Sequence, residues 1–461
     1  MTAPPAGTAD LLVTNGHVAT VDTDRRELPG GWVAITDGLV SGVGASAETP
    51  PSAREVLDAS GCLVTPGLVN THHHLYQNLT RAFPPMTNAP LFGWLQTLYP
   101  LWRALDEESA HVSAWIGLAE LALSGCTTST DHLYLHPRNG GDLLSAEIAA
   151  AVDLGMRFHP TRGSMSLSQK DGGLPPDDVV QEDDEILALS QAAVERHHDR
   201  SFGAMVRVAL APCSPFSVTK ELMIRSAELA EKLDVRLHTH FAENSEDDDF
   251  SIATFGCRPF EYLREVGWLS DRTWVAHCVM PNADEIRELG RAGIGAAHCP
   301  SSNLILASGI APVVDLRAAG VHVGLGVDGS SSADSASLWL EARQAMLLAK
   351  LRSGAGAADA RMALEVATIG GAGCLGRTGE IGSLQTGAVG DVAVWDLSGI
   401  QFAGAIADPV EAWLRCGPAA VRETIVHGRF VVRGGRLVTA RADEMMVTHR
   451  RLSARMQSFA G

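Results

Sequence analysis

A strand–loop–helix cycle running through the middle of this 461-residue chain is the feature that most constrains its fold. Apolar runs that read as strands fall at residues 64–74, 126–131, 156–161, 206–211, 235–240, 273–277, 293–298 and 321–328. Segments 108–123, 185–197, 220–233 and 283–292 lie between them, with apolar spacing near about 3.6 residues that predicts helices. Eight strands alternating with helices predict an α/β fold, a closed (β/α)8 barrel, over an open doubly wound sheet. No Gly-x-Gly-x-x-Gly follows a strand, which weakens a dinucleotide-binding reading.

The two ends have a different texture. Short β-runs broken by glycine occupy residues 10–43, and again 390–395, 420–432 and 436–438. Asn15-Gly16 and Asp37-Gly38 are dipeptides that favour hairpin turns. A small β-sandwich domain assembled from both termini is expected, with boundaries at 1–65, 66–376 for the barrel, and 377–461 for the second part with a C-terminal helix.

Charge and composition narrow the partners. With 36 Lys+Arg against 54 Asp+Glu the formal charge is -18. Nucleic acid and anionic membrane both need a basic face, so neither is expected as partner. Residues 1–10 have no basic start and no apolar core, so no secretory signal is expected. No apolar run approaches the ~20 residues of a membrane helix. The eight cysteines are scattered without a Cys-x-x-Cys pair, which suits free thiols in a reducing cytoplasm.

Barrel chemistry gathers at the C-terminal ends of the strands. Here those ends read His72 and His74, Asp131, His240, His277, His298 and Asp328. On a strand, residues two apart share a face, so His72 and His74 point one way and His73 the other. Side-by-side imidazoles at the end of a buried strand are costly unless used, and a metal ion is the commonest user. His72, His74, His240 and Asp328 could supply four ligands, with His277 close by. His238 shares the face of His240 one layer deeper and reads as a supporting residue, while His159 and His322 read as packing. His17, His111, His197, His198, His427 and His449 look like surface residues. Glu243 follows His240 at an odd offset, so the chain must turn at the rim for both to reach one site; a carboxylate there can ferry protons.

The motifs Pro-Gly-Leu-Val-Asn-Thr-His-His-His (66–74), His-Thr-His-Phe-Ala-Glu (238–243), Val-Ala-His-Cys (275–278) and Gly-Val-Asp-Gly-Ser (326–330) together resemble the amidohydrolase superfamily. Within it, the chain is similar to the mononuclear-zinc deaminases of aromatic heterocycles. The resemblance implies His72, His74, His240 and Asp328 as metal ligands, with Glu243, His277 and Asp328 catalytic. It implies one Zn2+ per subunit, with Fe2+ as the alternative, a small heterocycle and water as partners, and a homo-oligomer. Relatives with two metals carry a bridging lysine or glutamate at the end of strand four; residues 210–216 read Leu-Ala-Pro-Cys-Ser-Pro-Phe, which implies a single ion and disfavours a cyclic-amide hydrolase. Some superfamily members are non-catalytic assembly proteins that have lost ligands, whereas every expected ligand position is filled here.

Hydrolytic deamination is the implied reaction. The loops most resemble those of 8-oxoguanine deaminases, which implies 8-oxoguanine going to urate and ammonia. Hydroxyatrazine-like triazines, isoxanthopterin and guanine are the alternatives. Gln77, Tyr134, Arg162 and Cys213 are expected to touch a flat, polar-edged ring, and the glycine-rich segment 161–176 to close over it.

Overall fold

The computed structural model describes residues 7–460, so most of the opening segment read above for a leader lies outside the described residues. Eight parallel strands close into a barrel. We number them β1 (Leu68–Asn70), β2 (Cys126–Leu133), β3 (Arg157–Ser164), β4 (Ala209–Pro212), β5 (Leu237–Phe241), β6 (Thr273–His277), β7 (Gly295–His298) and β8 (His322–Leu325). Each pairs with its neighbour in sequence, and β8 closes on β1 through Leu325 and Asn70. The expected helices form at Glu107–Leu123, Asp183–His197, Lys220–Leu233 and Ala283–Arg291. Three of the four starts carry a side-chain cap: Asp106, Thr219 and Asn282 each accept from a first-turn backbone N–H.

Strands from the two ends make one nine-stranded sheet. Val392–Asp396 pairs antiparallel with Cys62–Pro66, so the C-terminal strands are stitched directly onto the N-terminal ones. Leu11, Val13, Val18, Val33, Ile35, Val64, Val392, Val394 and Ile425 fill a core of its own. The long strand Ala9–Ala19 serves both halves of this layer: its first half pairs with Ala53–Asp58 and its second with Cys62–Pro66. Asp37 and Gly38 adopt the positive φ that their turn requires. Asn15-Gly16 does not turn. It is a bulge inside the long strand, with Asn15 at φ 65, and a Cβ on Gly16 would lie 2.5 Å from Val64 Cγ2.

The run 64–74 is likewise not one strand. It ends the terminal sheet at Pro66, passes through Gly67, supplies β1, and then pairs His73–His74 with Asp328–Gly329 in a two-stranded ladder above the barrel. That ladder brings the histidine run onto Asp328. Among the described residues no helix is long and apolar enough to cross a membrane.

Candidate metal centre and active site

The side chains of His72, His74, His240, His277 and Asp328 meet at the C-terminal mouth of the barrel, His240 half-buried and the others buried. Hydrogen bonds behind the rings set their tautomers. His238 Nδ1 donates to the Trp274 carbonyl at 2.8 Å, leaving its Nε2 to accept from His72 Nδ1 at 2.8 Å. His74 Nδ1 donates to the His132 carbonyl at 2.8 Å, and His240 Nδ1 to the Cys213 carbonyl at 2.7 Å. All three Nε2 atoms therefore present bare lone pairs to the centre. Burial pulls His72 and His74 below the usual histidine range and His240 down to about 3, so the rings are neutral, the form that binds metal.

These lone pairs face one another with nothing to reconcile them. His74 Nε2 lies 3.2 Å from His240 Nε2. His72 Nε2 and His74 Nε2 lie 3.2 and 3.4 Å from Asp328 Oδ1. His72 Nε2 is buried without a donor. Acceptors packed against acceptors are repulsive unless a cation stands between them, so the donor set fits a divalent ion of the zinc type. Asp328 reaches this point through a strained backbone, at φ 59, and is steadied by the Gly329 N–H at 2.7 Å and the Ser332 hydroxyl at 3.2 Å.

Glu243 comes to the same mouth because Ala242 takes φ 47 and turns the chain at the rim. Its Oε2 lies 3.5 Å from His277 Nε2 and its Oε1 accepts from Ser308. Burial, then repulsion by Asp328, pushes its carboxyl up to about 8, so it is protonated at neutral pH. His277, at φ 70, has its Nδ1 3.0 Å from Asn303 Oδ1.

A narrow cleft opens above these groups. Gln77, Tyr134 and Cys213 line it with Trp94, Phe216 and Leu306. Gln77 Oε1 is buried without a donor, a polar group left for a ligand. Burial pushes the Cys213 thiol up to about 12, so it lines the wall as a neutral group.

Arg162 is not brought to this cleft. Its guanidinium bonds the Gly163 carbonyl and Gln181 Oε1, and it lines a separate cavity with His136 and Glu185. No residue of 161–176 lines the cleft either. Asp131 points away: its Oδ1 accepts from the Leu75 N–H at 2.6 Å. Its neighbour His132, not singled out in the sequence, faces inward, stacked on His240 at 4.9 Å between centroids. His132 joins His72, His74 and His240 in a group whose ligand atoms lie within 4.8 Å, but its Nε2 meets the Ala211 carbonyl at 3.1 Å. Asn303 and Ser308 were also not anticipated; neither stands in a motif. His298 is buried at the end of β7 and does not line the cleft. None of the histidines expected on the surface is fully exposed; His449 bonds Asn78 Oδ1 at 2.7 Å.

A barrel with a histidine–aspartate cluster at its C-terminal mouth and a sheet from both termini defines a class, and comparison with known proteins agrees with it. The Amidohydrolase family model matches residues 63–431, and the chain belongs to that family. It is 48% identical over 421 residues to an 8-oxoguanine deaminase of Pseudomonas aeruginosa, covering 91% of this chain and 93% of that protein. It is 34% identical over 446 residues to a hydroxydechloroatrazine ethylaminohydrolase of a Pseudomonas species, covering 94% and 89%. The zinc complex of an atrazine chlorohydrolase from Arthrobacter aurescens superposes with a TM-score of 0.91 at 32% identity, covering 96% of this chain and all of that one. The chain is a hydrolase of carbon–nitrogen bonds.

Proposed function

We propose that this protein is a mononuclear zinc deaminase that converts 8-oxoguanine and water to urate and ammonia. The observation that carries the substrate is the 48% identity to an 8-oxoguanine deaminase over nine-tenths of both chains. The cleft supports it, with aromatic walls for a flat ring and the Gln77 amide for its polar edge. His72, His74, His240 and Asp328 hold the ion, and Fe2+ is the alternative occupant. When bound, the ion supplies a Lewis acid that brings the pKa of water towards ~7.

The protein groups then divide the proton traffic. Asp328 takes a proton from the attacking water, which adds to the ring carbon bearing the exocyclic amine. Glu243, protonated at rest, gives its proton to the adjacent ring nitrogen. His277, held through its Nδ1 by Asn303, turns Nε2 toward the new oxygen of the tetrahedral adduct and stabilises it. Asp328 then passes its proton to the amine while Glu243 recovers one from the new hydroxyl as the carbonyl forms, and the carbon–nitrogen bond breaks to release ammonia.

A panel of 8-oxoguanine, guanine, isoxanthopterin and hydroxyatrazine tests the substrate by product analysis. Urate and ammonia appearing one for one from 8-oxoguanine, faster than from the others, is expected. Activity confined to an aminotriazine would overturn the assignment.

A further inference from the structure

The opposite mouth of the barrel, where the strands begin, carries a second cluster that deamination does not use. A cleft of about 250 Å³ lies there, lined by His159, His198, Arg200, Arg207, Arg236 and Arg272, with Asp234 as its one acidic wall residue. Arg207, Arg236 and Arg272 stand just before β4, β5 and β6, so the parallel strands deliver three guanidinium groups to one end. In a chain of formal charge -18 this is a local reversal of sign.

Arginines elsewhere at this end are structural, as is usual for the N-terminal face of such barrels. Arg157 pairs with Asp391, and Arg377 with Glu380. Within the cleft Arg207 reaches Glu380 at 3.0 Å and Arg272 reaches Asp234 at 2.8 Å. Arg236 differs. It makes no side-chain hydrogen bond and no ion pair among the described residues, and its Nε is buried without a partner. Burial draws it down to about 10, so it remains a cation at neutral pH. Gly376, at φ 63, makes room for it: a Cβ there would lie 2.6 Å from Arg236 Nη1. Beside it His159 Nδ1 is also buried without a partner.

A half-buried guanidinium whose Nε is buried without a partner gains from a ligand that completes it. Of the four arginines on the cleft, Arg200 and Arg236 have no carboxylate in an ion pair among the described residues, and planar guanidinium forks match phosphate oxygens. We propose that this cleft is a binding site for a small molecule carrying phosphate, separate from the metal centre and held chiefly by Arg236.

Calorimetric titration of the zinc-loaded full chain with inorganic phosphate, pyrophosphate and a nucleoside 5′-monophosphate tests this, with malonate as a dicarboxylate control. One site per chain is expected for at least one phosphate probe, weakening as salt is raised. Arg236→Met should raise its Kd about tenfold or more and leave the KM for the heterocycle unchanged. Nucleotide binding tighter than free phosphate would identify a nucleotide-type ligand; equal binding would identify phosphate itself. Should Arg236→Met fail to fold, Arg200→Ser and Arg272→Gln at the cleft rim should each weaken binding. No binding at millimolar concentration, a Kd indifferent to these variants, tighter binding of malonate, or competition with the heterocycle would overturn the proposal.

Discussion

Glu243 and His277 stand 3.5 Å apart with room for one proton between Oε2 and Nε2. Burial holds that proton on Glu243, so in the proposed mechanism the acid for the ring nitrogen is present before substrate arrives. The carboxyl is charged above about 8 and neutral below it. Activity should therefore fall as pH rises through that region, where the acid form is lost, and a kcat flat to higher pH would contradict the role. Glu243→Gln keeps the shape and removes the transferable proton. We expect unchanged zinc content and a kcat lower by about 10²- to 10⁴-fold; near-normal turnover would remove Glu243 from the chemistry. His72, His74 and His240 were legible in the sequence for a physical reason: each closes an apolar run, and a titratable group at such a place is expensive.

Among the elements, strand existence was legible and facing was not. β2 and β3 are buried along their whole length on both sides, so no polar alternation marks which residues look inward. Ending β2 at Asp131, two residues short of Leu133, counted Asp131 among the rim residues and passed over His132, the one that faces inward. The same blindness placed Arg162 at the ring, when β3 turns it outward toward Gln181. The break of residues 64–74 into three pieces was hidden because each piece is apolar. Gly163, next to Arg162, shows how tightly these strands meet: a Cβ there would lie 2.4 Å from the Leu133 carbonyl oxygen and 2.8 Å from Tyr134 Cα. Backbone cannot yield as a side chain does. Gly163→Ala should cost about 1–3 kcal/mol in denaturant unfolding and raise KM by displacing Tyr134; unchanged values of both would show that the strands have slack.

Across the whole molecule, a buried ion pair ties the barrel to the terminal sheet. Arg157 at the start of β3 pairs with Asp391, whose other oxygen accepts from the His427 N–H at 2.8 Å. Asp391→Ala leaves a fully buried guanidinium alone and should destabilise by about 3–5 kcal/mol, read by chemical denaturation of the zinc-loaded protein; a loss within error would make the pair dispensable. At the other mouth, bare imidazole nitrogens converge on Asp328, where the proposed function seats a single ion. The most direct test is to strip the protein with a chelator, restore zinc stepwise, and measure ammonia release against bound metal in the same samples. The arrangement of His72, His74, His240 and Asp328 predicts no activity without metal and a linear rise that stops at one zinc per chain. Activity in the metal-free protein, or a rise continuing to two, would contradict it.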